Sequence, residues 1–299
     1  MNKYIYLFFF LFTLLFVGCN KDIEDTDILK GEPVSLNVIM GTIDRFGEVS
    51  TRSANTVMTF TQPLDSTIDT GIDVITTVEQ LPETLDVQTR ASVNNKSRFR
   101  MIVYDAYGNT VATTDYIVNN NIASLAQGQT APVLSLGTTY KFFFYTYNSG
   151  SFEKLENGKT PVFTWDDFAT YVITKTITAQ DNSVTVNFTR HCCKFELVYT
   201  ASGFMNNTVT LSGLTSLIDF GKGLFPIDSS VSNSTNLSLD TFYPNHVYYG
   251  PTYVVPINKR VGISTTATID GVKKNVNTQL DVNFQRRGNY KVTIRLSKN

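Results

Sequence analysis

The period-two alternation of apolar and polar side chains is the feature that most constrains the fold of this chain. In one segment, Val184, Val186 and Phe188 share a single face of a predicted strand. Similar short segments recur along the chain, separated by turn-forming stretches such as residues 106–109. Short strands at this spacing are typical of β-sandwiches, whereas parallel sheets need a helix between successive strands. The sequence therefore predicts an all-β protein of two tandem β-sandwich domains with little helix.

The composition agrees with this fold class and excludes one class of partner. The 299-residue chain is 12% aromatic and only 17% charged, with 15 Tyr and 21 Phe. Aromatic and β-branched side chains favour strands. The formal net charge is −1, so the chain lacks the basic surface that nucleic-acid binding requires. We expect no nucleic-acid partner.

Two local patterns predict a central strand and a domain boundary. In the run 140–147, Phe142 and Phe144 point to one face and Phe143 and Tyr145 to the other, so this strand should be covered on both sides. Apolar positions are even-numbered in 184–188 and odd-numbered in 193–199, which requires a bulge or a break near 190–192. We divide the chain into an N-terminal domain at 32–183 and a C-terminal domain at 184–299. Residues 72–78 fit either a strand or a helical turn, and residues 165–168 fit one helical turn.

The first eighteen residues have the layout of a bacterial secretory signal. Lys3 precedes an almost unbroken apolar run, and the segment Phe16-Val17-Gly18-Cys19 matches a lipobox, in which the cysteine becomes the lipidated first residue of the mature protein. The alternative is a membrane-spanning anchor, but the run is shorter than the ~20 apolar residues that a span takes. We assign residues 1–18 to a lipoprotein signal peptide and Cys19 to lipidation.

Residues 19–31 are predicted to form an acidic, flexible tether. They offer little apolar surface to offset the entropy of ordering the chain. The acidic run after the cysteine resembles the signal that directs Bacteroidetes lipoproteins to the outer face of the outer membrane. The spacing of Asp25 and Asp27 lacks the glycine and glutamate of a calcium loop. The expected location is the cell outer membrane, lipid-anchored and surface-exposed.

The sequence offers few candidate side chains for catalysis or metal binding. His191 and His246 are the two histidines, and neither has the spacing of a metal site or a catalytic triad. His191 precedes the adjacent Cys192 and Cys193, and a strand would send alternate side chains to opposite faces. We expect two reduced thiols, because a disulfide between neighbouring residues would be strained. The sequence thus predicts a non-catalytic protein with no metal and no cofactor.

Several segments together resemble one protein family. They are the short runs Thr51-Arg52-Ser53, Phe99-Arg100-Met101-Ile102-Val103-Tyr104-Asp105, Phe188-Thr189-Arg190-His191, Cys193-Lys194-Phe195-Glu196-Leu197 and Phe284-Gln285-Arg286-Arg287-Gly288-Asn289-Tyr290. This set is similar to the Bacteroidales fimbrillin-like proteins, the subunits of type V pili. The resemblance extends over most of the mature chain as a series of short motifs.

The resemblance implies a fold and a mode of assembly. The family has two β-sandwich domains of transthyretin-like Greek-key topology. Its members are exported as lipoproteins and cut after an arginine, which frees the first strand so that a strand from another fimbrial subunit fills the groove. In this sequence the cut is expected at Arg52, with Arg45 as the second choice. The exchanged strand is expected at residues 33–40, with its contacts made by Pro33, Val34, Leu36, Val38 and Met40.

One departure from the family and one rival function qualify this interpretation. Only residues 297–299 follow Leu296, so a donor strand must be the last strand itself or be absent, which favours a tip or accessory subunit with a role in adhesion. The expected partners are other fimbrial subunits, the outer membrane through the lipid anchor, and a host or bacterial surface ligand. The rival is a monomeric surface lipoprotein that binds a glycan or host ligand. Its candidate sugar platforms are Trp165 with the neighbouring Asp166 and Asp167, Tyr147, Tyr248, Tyr249 and Tyr253.

Overall fold

The computed structural model describes residues 30–45, 57–63, 71–81, 90–150, 159–161, 167–200, 208–215, 217–219, 232–238, 241–243, 246–254, 260–269, 272–282 and 284–298. Within these residues the chain forms strands and turns and no helix, which confirms the predicted all-β class. The first strands are β1 (Pro33–Ser35), β2 (Asn37–Asp44), β3 (Val57–Pro63), β4 (Ile72–Gln80), β5 (Arg90–Ala91), β6 (Arg98–Tyr104), β7 (Thr110–Asn119), β8 (Ile122–Leu125), β9 (Val133–Ser135), β10 (Thr139–Thr146) and β11 (Lys159–Pro161).

The remaining strands complete three larger sheets. They are β12 (Ala169–Thr176), β13 (Ser183–Arg190), β14 (Cys193–Thr200), β15 (Thr208–Thr215), β16 (Leu217–Asp219), β17 (Ser232–Ser238), β18 (Thr241–Tyr243), β19 (His246–Val254), β20 (Arg260–Ile269), β21 (Val272–Asp281) and β22 (Asn289–Lys298). Two short pairs, β1 with β9 and β11 with β16, stand apart from these sheets.

An eight-stranded sheet forms the N-terminal part of the fold. Its strand order is β5-β2-β13-β12-β10-β6-β7-β8, and β2 lies parallel to β13 while the other pairs are antiparallel. The sheet encloses one apolar cluster, which includes Phe99, Phe144 and Phe188. The ring centroids of Phe99 and Phe188 lie 5.8 Å apart, edge to face, so aromatic packing fills the centre of this cluster.

Strand β10 is covered on both faces, as its sequence predicts. It lies between β12 and β6. Phe142 and Phe144 are fully buried in the apolar cluster on one face. On the other face Tyr145 is also fully buried, and its ring packs against Phe168 at a centroid distance of 6.3 Å. Residues 72–78, which fitted two structures, form part of strand β4.

A second apolar core lies between two further sheets. The six-stranded sheet has the order β18-β19-β14-β22-β4-β3, and the four-stranded sheet has the order β17-β15-β20-β21. Side chains of both sheets share one buried cluster, which includes Phe195 and Leu197 from the first and Leu211 and Ile263 from the second. This arrangement is a β-sandwich. The transthyretin-like connectivity of the two units stays a prediction.

Strands from both sides of the predicted boundary at 183/184 share sheets, and the division of the chain into 32–183 and 184–299 stays a prediction. Strand β4 pairs with β22 on one side and with β3 on the other, so β3 and β4 belong to the six-stranded sheet although they lie within the predicted N-terminal domain. Strand β13 pairs with β2 and β12 and stays in the eight-stranded sheet. The pattern of a strand shows which face is buried but not which distant strand is its partner, so the sequence could not assign this hairpin.

The change of sheet falls between β13 and β14, where the parity of the buried positions changes. Strand β13 ends at Arg190 and β14 begins at Cys193, so the predicted break near 190–192 is confirmed. Two residues, His191 and Cys192, connect the two sheets, and both are buried. The N–H of Arg287 donates to the carbonyl of Cys192 at 2.8 Å, which ties the segment before β22 to this connection.

Candidate functional site at the seat of the first strand

The first strand, which we define as residues 31–44, changes its partner in the middle. β1 lies antiparallel to β9, and β2 lies parallel to β13. At the change, the N–H of Leu36 donates to the carbonyl of Pro132 at 3.1 Å, and the N–H of Asn37 donates to the carbonyl of Asn182 at 2.9 Å. The surfaces of β9 and β13 that hold this segment are called the seat below.

Alternate side chains of the first strand fill the core beneath the seat. Leu36, Val38 and Met40 are 5%, 7% and 8% exposed, and Ile43 is completely buried. Burying one such side chain contributes roughly 1.5–3 kcal/mol. The first strand is therefore an integral part of this core rather than an addition to its surface. Its neighbours in the cluster are Leu134, Leu136, Val184, Val186 and Phe188.

The five residues predicted to make the contacts of an exchanged strand differ in how deeply they are buried. Leu36, Val38 and Met40 are buried, and Val34 is partly buried against the same cluster. Pro33 is exposed. The geometry therefore places four of the five against the core, and their exchange stays a prediction.

The predicted processing and lipidation residues lie at or beyond the limits of the described chain. Arg45 directly follows the buried Asp44 and is itself half-buried, and its cleavage stays a prediction. Arg52 and Cys19 lie outside the described residues. Among the residues that the structure describes, no helix is long and apolar enough to cross a membrane.

A buried network of charges holds the end of the first strand. The guanidinium of Arg190 donates to both carboxylate oxygens of Asp167, at 2.7 and 2.8 Å, and also to the backbone carbonyl of Asp44. The side chain of Asn148 donates to Asp167 at 2.8 Å. Arg287 approaches the Asp44 carboxylate at 3.6 Å. This network joins the first strand, the eight-stranded sheet and the segment before β22.

The sequence did not predict this network. Asp167 belongs to the segment 165–168 that fitted one helical turn, but it lies outside any helix and forms a buried ion pair. Its partner Arg190 is 23 residues away, so no local spacing indicated the contact. The available signal was a charged residue at the even-numbered, buried parity of β13, since Arg190 continues the series of Val184, Val186 and Phe188.

The side chains of His191 and of the two adjacent cysteines are buried, and burial disfavours their charged forms. Burial, together with the positive charge of Arg286, lowers the pKa of His191 to about 3. One ring nitrogen of His191 lies 3.0 Å from the hydroxyl of Thr170. Both thiols are reduced, and burial raises the pKa of Cys193 to about 12 and that of Cys192 well above its usual range. The described residues contain no group of three His, Cys, Asp or Glu side chains that could hold a metal ion.

The free energy of unfolding is expected to fall as the pH is lowered from about 6.5 towards 3. In the unfolded chain His191 takes up a proton near its ordinary pKa, whereas in the folded chain it stays neutral until the pH approaches about 3. Within this window each pH unit should cost up to about 1.4 kcal/mol through this one group. Urea unfolding of the wild type and of His191→Gln at pH 4.5, 5.5 and 7.5 measures the contribution. Equal pH slopes for the two proteins would contradict it.

The candidate sugar platforms of the rival function receive little support. Tyr147 is 3% exposed and its ring packs against Phe168 at 5.5 Å, so its face is not available to a glycan. This corrects the expectation for Tyr147. Trp165 and Asp166 lie outside the described residues, and the structure does not describe the side chains of Tyr248, Tyr249 and Tyr253.

Comparisons with known proteins return distant structural likenesses. No protein-family model matches the sequence, and no curated protein matches it significantly. A candidate cell adhesion protein from Bacteroides fragilis is similar at 13% identity and a TM-score of 0.48, covering 88% of this chain and 97% of that one. The fimbrial anchor protein Mfa2 from Porphyromonas gingivalis is similar at 13% identity and a TM-score of 0.43, covering 71% and 86%. A fimbrial assembly protein from Parabacteroides distasonis is similar at 12% identity and a TM-score of 0.39, covering 66% and 82%. At such low identities and TM-scores, these likenesses establish neither a fold nor a function for this chain.

Proposed function

We propose that this chain is a non-catalytic lipoprotein of the cell surface that serves as a tip or accessory subunit of a fimbrium and takes part in adhesion. Residues 1–18 direct export, and Cys19 carries the lipid that attaches the precursor to the outer membrane. Cleavage after Arg52 or Arg45 then frees the first strand. A strand from another fimbrial subunit takes its place in the seat. The resemblance of the sequence motifs to fimbrillin-like proteins supports this assignment.

The observation that carries the proposal is the position of the first strand. It supplies buried side chains to the core, yet among the residues that the structure describes the outer side of β2 pairs only with the two-residue strand β5. The first strand therefore lies next to an edge of the sheet, where a segment can leave without breaking a central strand. Arg45 directly follows its last residue, so a cut there or in the following segment would separate the strand from the rest of the chain.

Removal of the first strand would expose an unpaired strand edge and open an apolar groove beside it. The edge of β13 would expose the N–H and C=O groups that now pair with residues 37–43. The spaces of Leu36, Val38, Met40 and Ile43 would open into the apolar cluster. An unpaired strand edge beside an apolar groove recruits an extended segment with alternating apolar side chains. The seat thus has the chemistry for assembly through strand exchange.

Treatment of the mature protein with an arginine-specific protease should give one early cut, after Arg52 or Arg45. We expect the fragment that holds the first strand to leave slowly, because its side chains are buried, and the remainder to form larger assemblies or to capture a strand from a second subunit. Mass spectrometry and size-exclusion chromatography, carried out on the same samples, measure both steps. An Arg45→Lys, Arg52→Lys variant is the matched control and should resist the cut.

Two outcomes would contradict the proposal. One is the absence of a cut between residues 45 and 52 under conditions that cut other exposed arginines. The other is a clean cut that leaves a stable monomer unable to bind any strand. Either result would favour the rival function, a monomeric surface lipoprotein that binds a glycan or host ligand and keeps its lipid.

A further inference from the structure

We infer that the seat selects its occupant through a glycine. A strand that replaces residues 36–44 must carry Gly where Gly41 lies and a small hydroxyl residue where Thr42 lies. It must also carry apolar residues at the spacing of Leu36, Val38, Met40 and Ile43. Asn187 of β13 is the residue that enforces this choice. The inference rests on the proposed function and specifies the chemistry of the partner strand.

The pairing of β2 with β13 contains a bulge at this point. Residues 37–40 pair in regular order with residues 183–186, but Ile43 lies opposite Phe188. Gly41 and Thr42 therefore share a single opposing residue, Asn187. A bulge of this kind changes which face of the strand is buried. It explains why Met40 and Ile43, which are three residues apart, both point into the core.

Only a residue without a side chain fits at the first position of the bulge. A Cβ atom added to Gly41 would lie 2.4 Å from the Oδ1 of Asn187 and 2.7 Å from the carbonyl oxygen of Val186. Both distances are shorter than real Cβ contacts, which essentially never fall under 3.0 Å. Because the Val186 oxygen belongs to the backbone of β13, it cannot move aside as the end of a flexible side chain could.

Asn187 also replaces the regular backbone pairing at the second position of the bulge. Its Oδ1 accepts a hydrogen bond from the N–H of Thr42 at 3.2 Å and from the hydroxyl of Thr42 at 3.0 Å. The amide oxygen of Asn187 thus accepts from both donors of Thr42. It also occupies the space that a side chain at position 41 would need. The Asn187 oxygen thus makes the attractive contact with Thr42 and, together with the Val186 carbonyl oxygen, excludes a side chain at the glycine.

The rule distinguishes between strands, including those of a second copy. Strand β22 carries the alternating residues Val292, Ile294 and Leu296, followed by Ser297. In the register that places Leu296 in the space of Met40, Ser297 would occupy the position of Gly41 and bring its Cβ against Asn187. The last strand of a second copy is therefore a poor occupant. The fitting partner is a strand of another fimbrial subunit that carries Gly-Thr or Gly-Ser after an alternating apolar run.

Strand uptake by the cleaved protein tests the inference. After removal of the released fragment, fluorescently labelled peptides of residues 32–45 are offered to the seat in three forms, wild type, Gly41→Ala and Asn37→Ala. The Asn37 side chain is exposed, so its replacement is the matched control and should change affinity by less than about threefold. The Gly41→Ala peptide should bind at least about tenfold more weakly. In an Asn187→Ala seat the gap between the wild-type and Gly41→Ala peptides should narrow, because one of the two obstructing groups is gone.

The outcomes separate this inference from the proposed function. If the wild-type peptide does not enter the cleaved protein, the proposed strand exchange is wrong. If the wild-type and Gly41→Ala peptides enter equally well, exchange holds but the glycine rule is overturned. The uncut chain gives an independent reading, in which Gly41→Ala should lower the Tm by at least about 2 °C and Asn37→Ala should not. An unchanged Tm for the Gly41→Ala chain would also overturn the rule.

Discussion

Replacing Arg190 with methionine is expected to lower the free energy of unfolding by about 3–5 kcal/mol. The Arg190 and Asp167 side chains are 9% and 7% exposed, so removing the guanidinium leaves a carboxylate buried without its cation. The carbonyl of Asp44 would lose a donor at the same time. Chemical denaturation followed by circular dichroism measures the change. Asp181→Asn is the matched control, because this carboxylate pairs with Lys175 but is 61% exposed, and such surface pairs contribute about 1 kcal/mol or less.

A second variant tests whether the loss comes from the uncompensated charge. Adding Asp167→Asn to Arg190→Met removes the buried negative charge and keeps a side chain of the same size. The double variant should then be more stable than Arg190→Met alone, although less stable than the wild type. A double variant that is no more stable than the single one would show that lost packing, rather than charge, explains the effect. Comparing the single and double variants also bears on strand release, because this network holds the end of the first strand, which is proposed to leave.

The predictions from the sequence were most accurate for features that depend on the side-chain pattern of a single strand. Apolar side chains on both faces of residues 140–147 indicated a strand covered on two sides, and Phe142, Phe144 and Tyr145 are buried on both faces. The change of parity after Phe188 predicted the break at 190–192, which is where the chain passes from one sheet to the other. Both patterns are local, because burial of alternate residues is recorded along the strand itself.

Features that depend on distant partners were not predicted. The hairpin of β3 and β4 pairs with β22, more than 200 residues further along the chain, and no property of its own sequence identifies that strand. The ion pair between Asp167 and Arg190 is unpredictable for the same reason. The bulge at Gly41 had a usable signal, since the apolar positions change from Met40 to Ile43 across a glycine. This switch in the parity of the buried positions is of the same kind as the one at 190–192. Only the residue opposite the bulge, Asn187, could not be identified from the sequence.

Replacing Phe144 with alanine is expected to lower the free energy of unfolding by about 3–5 kcal/mol. Phe144 is completely buried in the central strand β10, where its ring lies 6.3 Å from that of Phe99 and 6.0 Å from that of Tyr171. Truncation removes a large apolar surface and leaves a cavity that a central strand, paired on both edges, cannot close. Tyr107→Ala is the matched control, because this aromatic ring is 91% exposed in a turn and its loss should change stability by less than about 0.5 kcal/mol.

The location of the Phe144→Ala effect tests the division of the fold into two cores. Phe144 belongs to the cluster that also buries the first strand, whereas Phe195 belongs to the separate cluster between the six- and four-stranded sheets. Amide hydrogen exchange should therefore rise in β6, β10 and β13 and change much less in β14 and β22. Uniform acceleration in all five strands would show that the two cores unfold as one unit. In that case the loss of the first strand could not be confined to the eight-stranded sheet, and its release after cleavage would destabilise the whole protein.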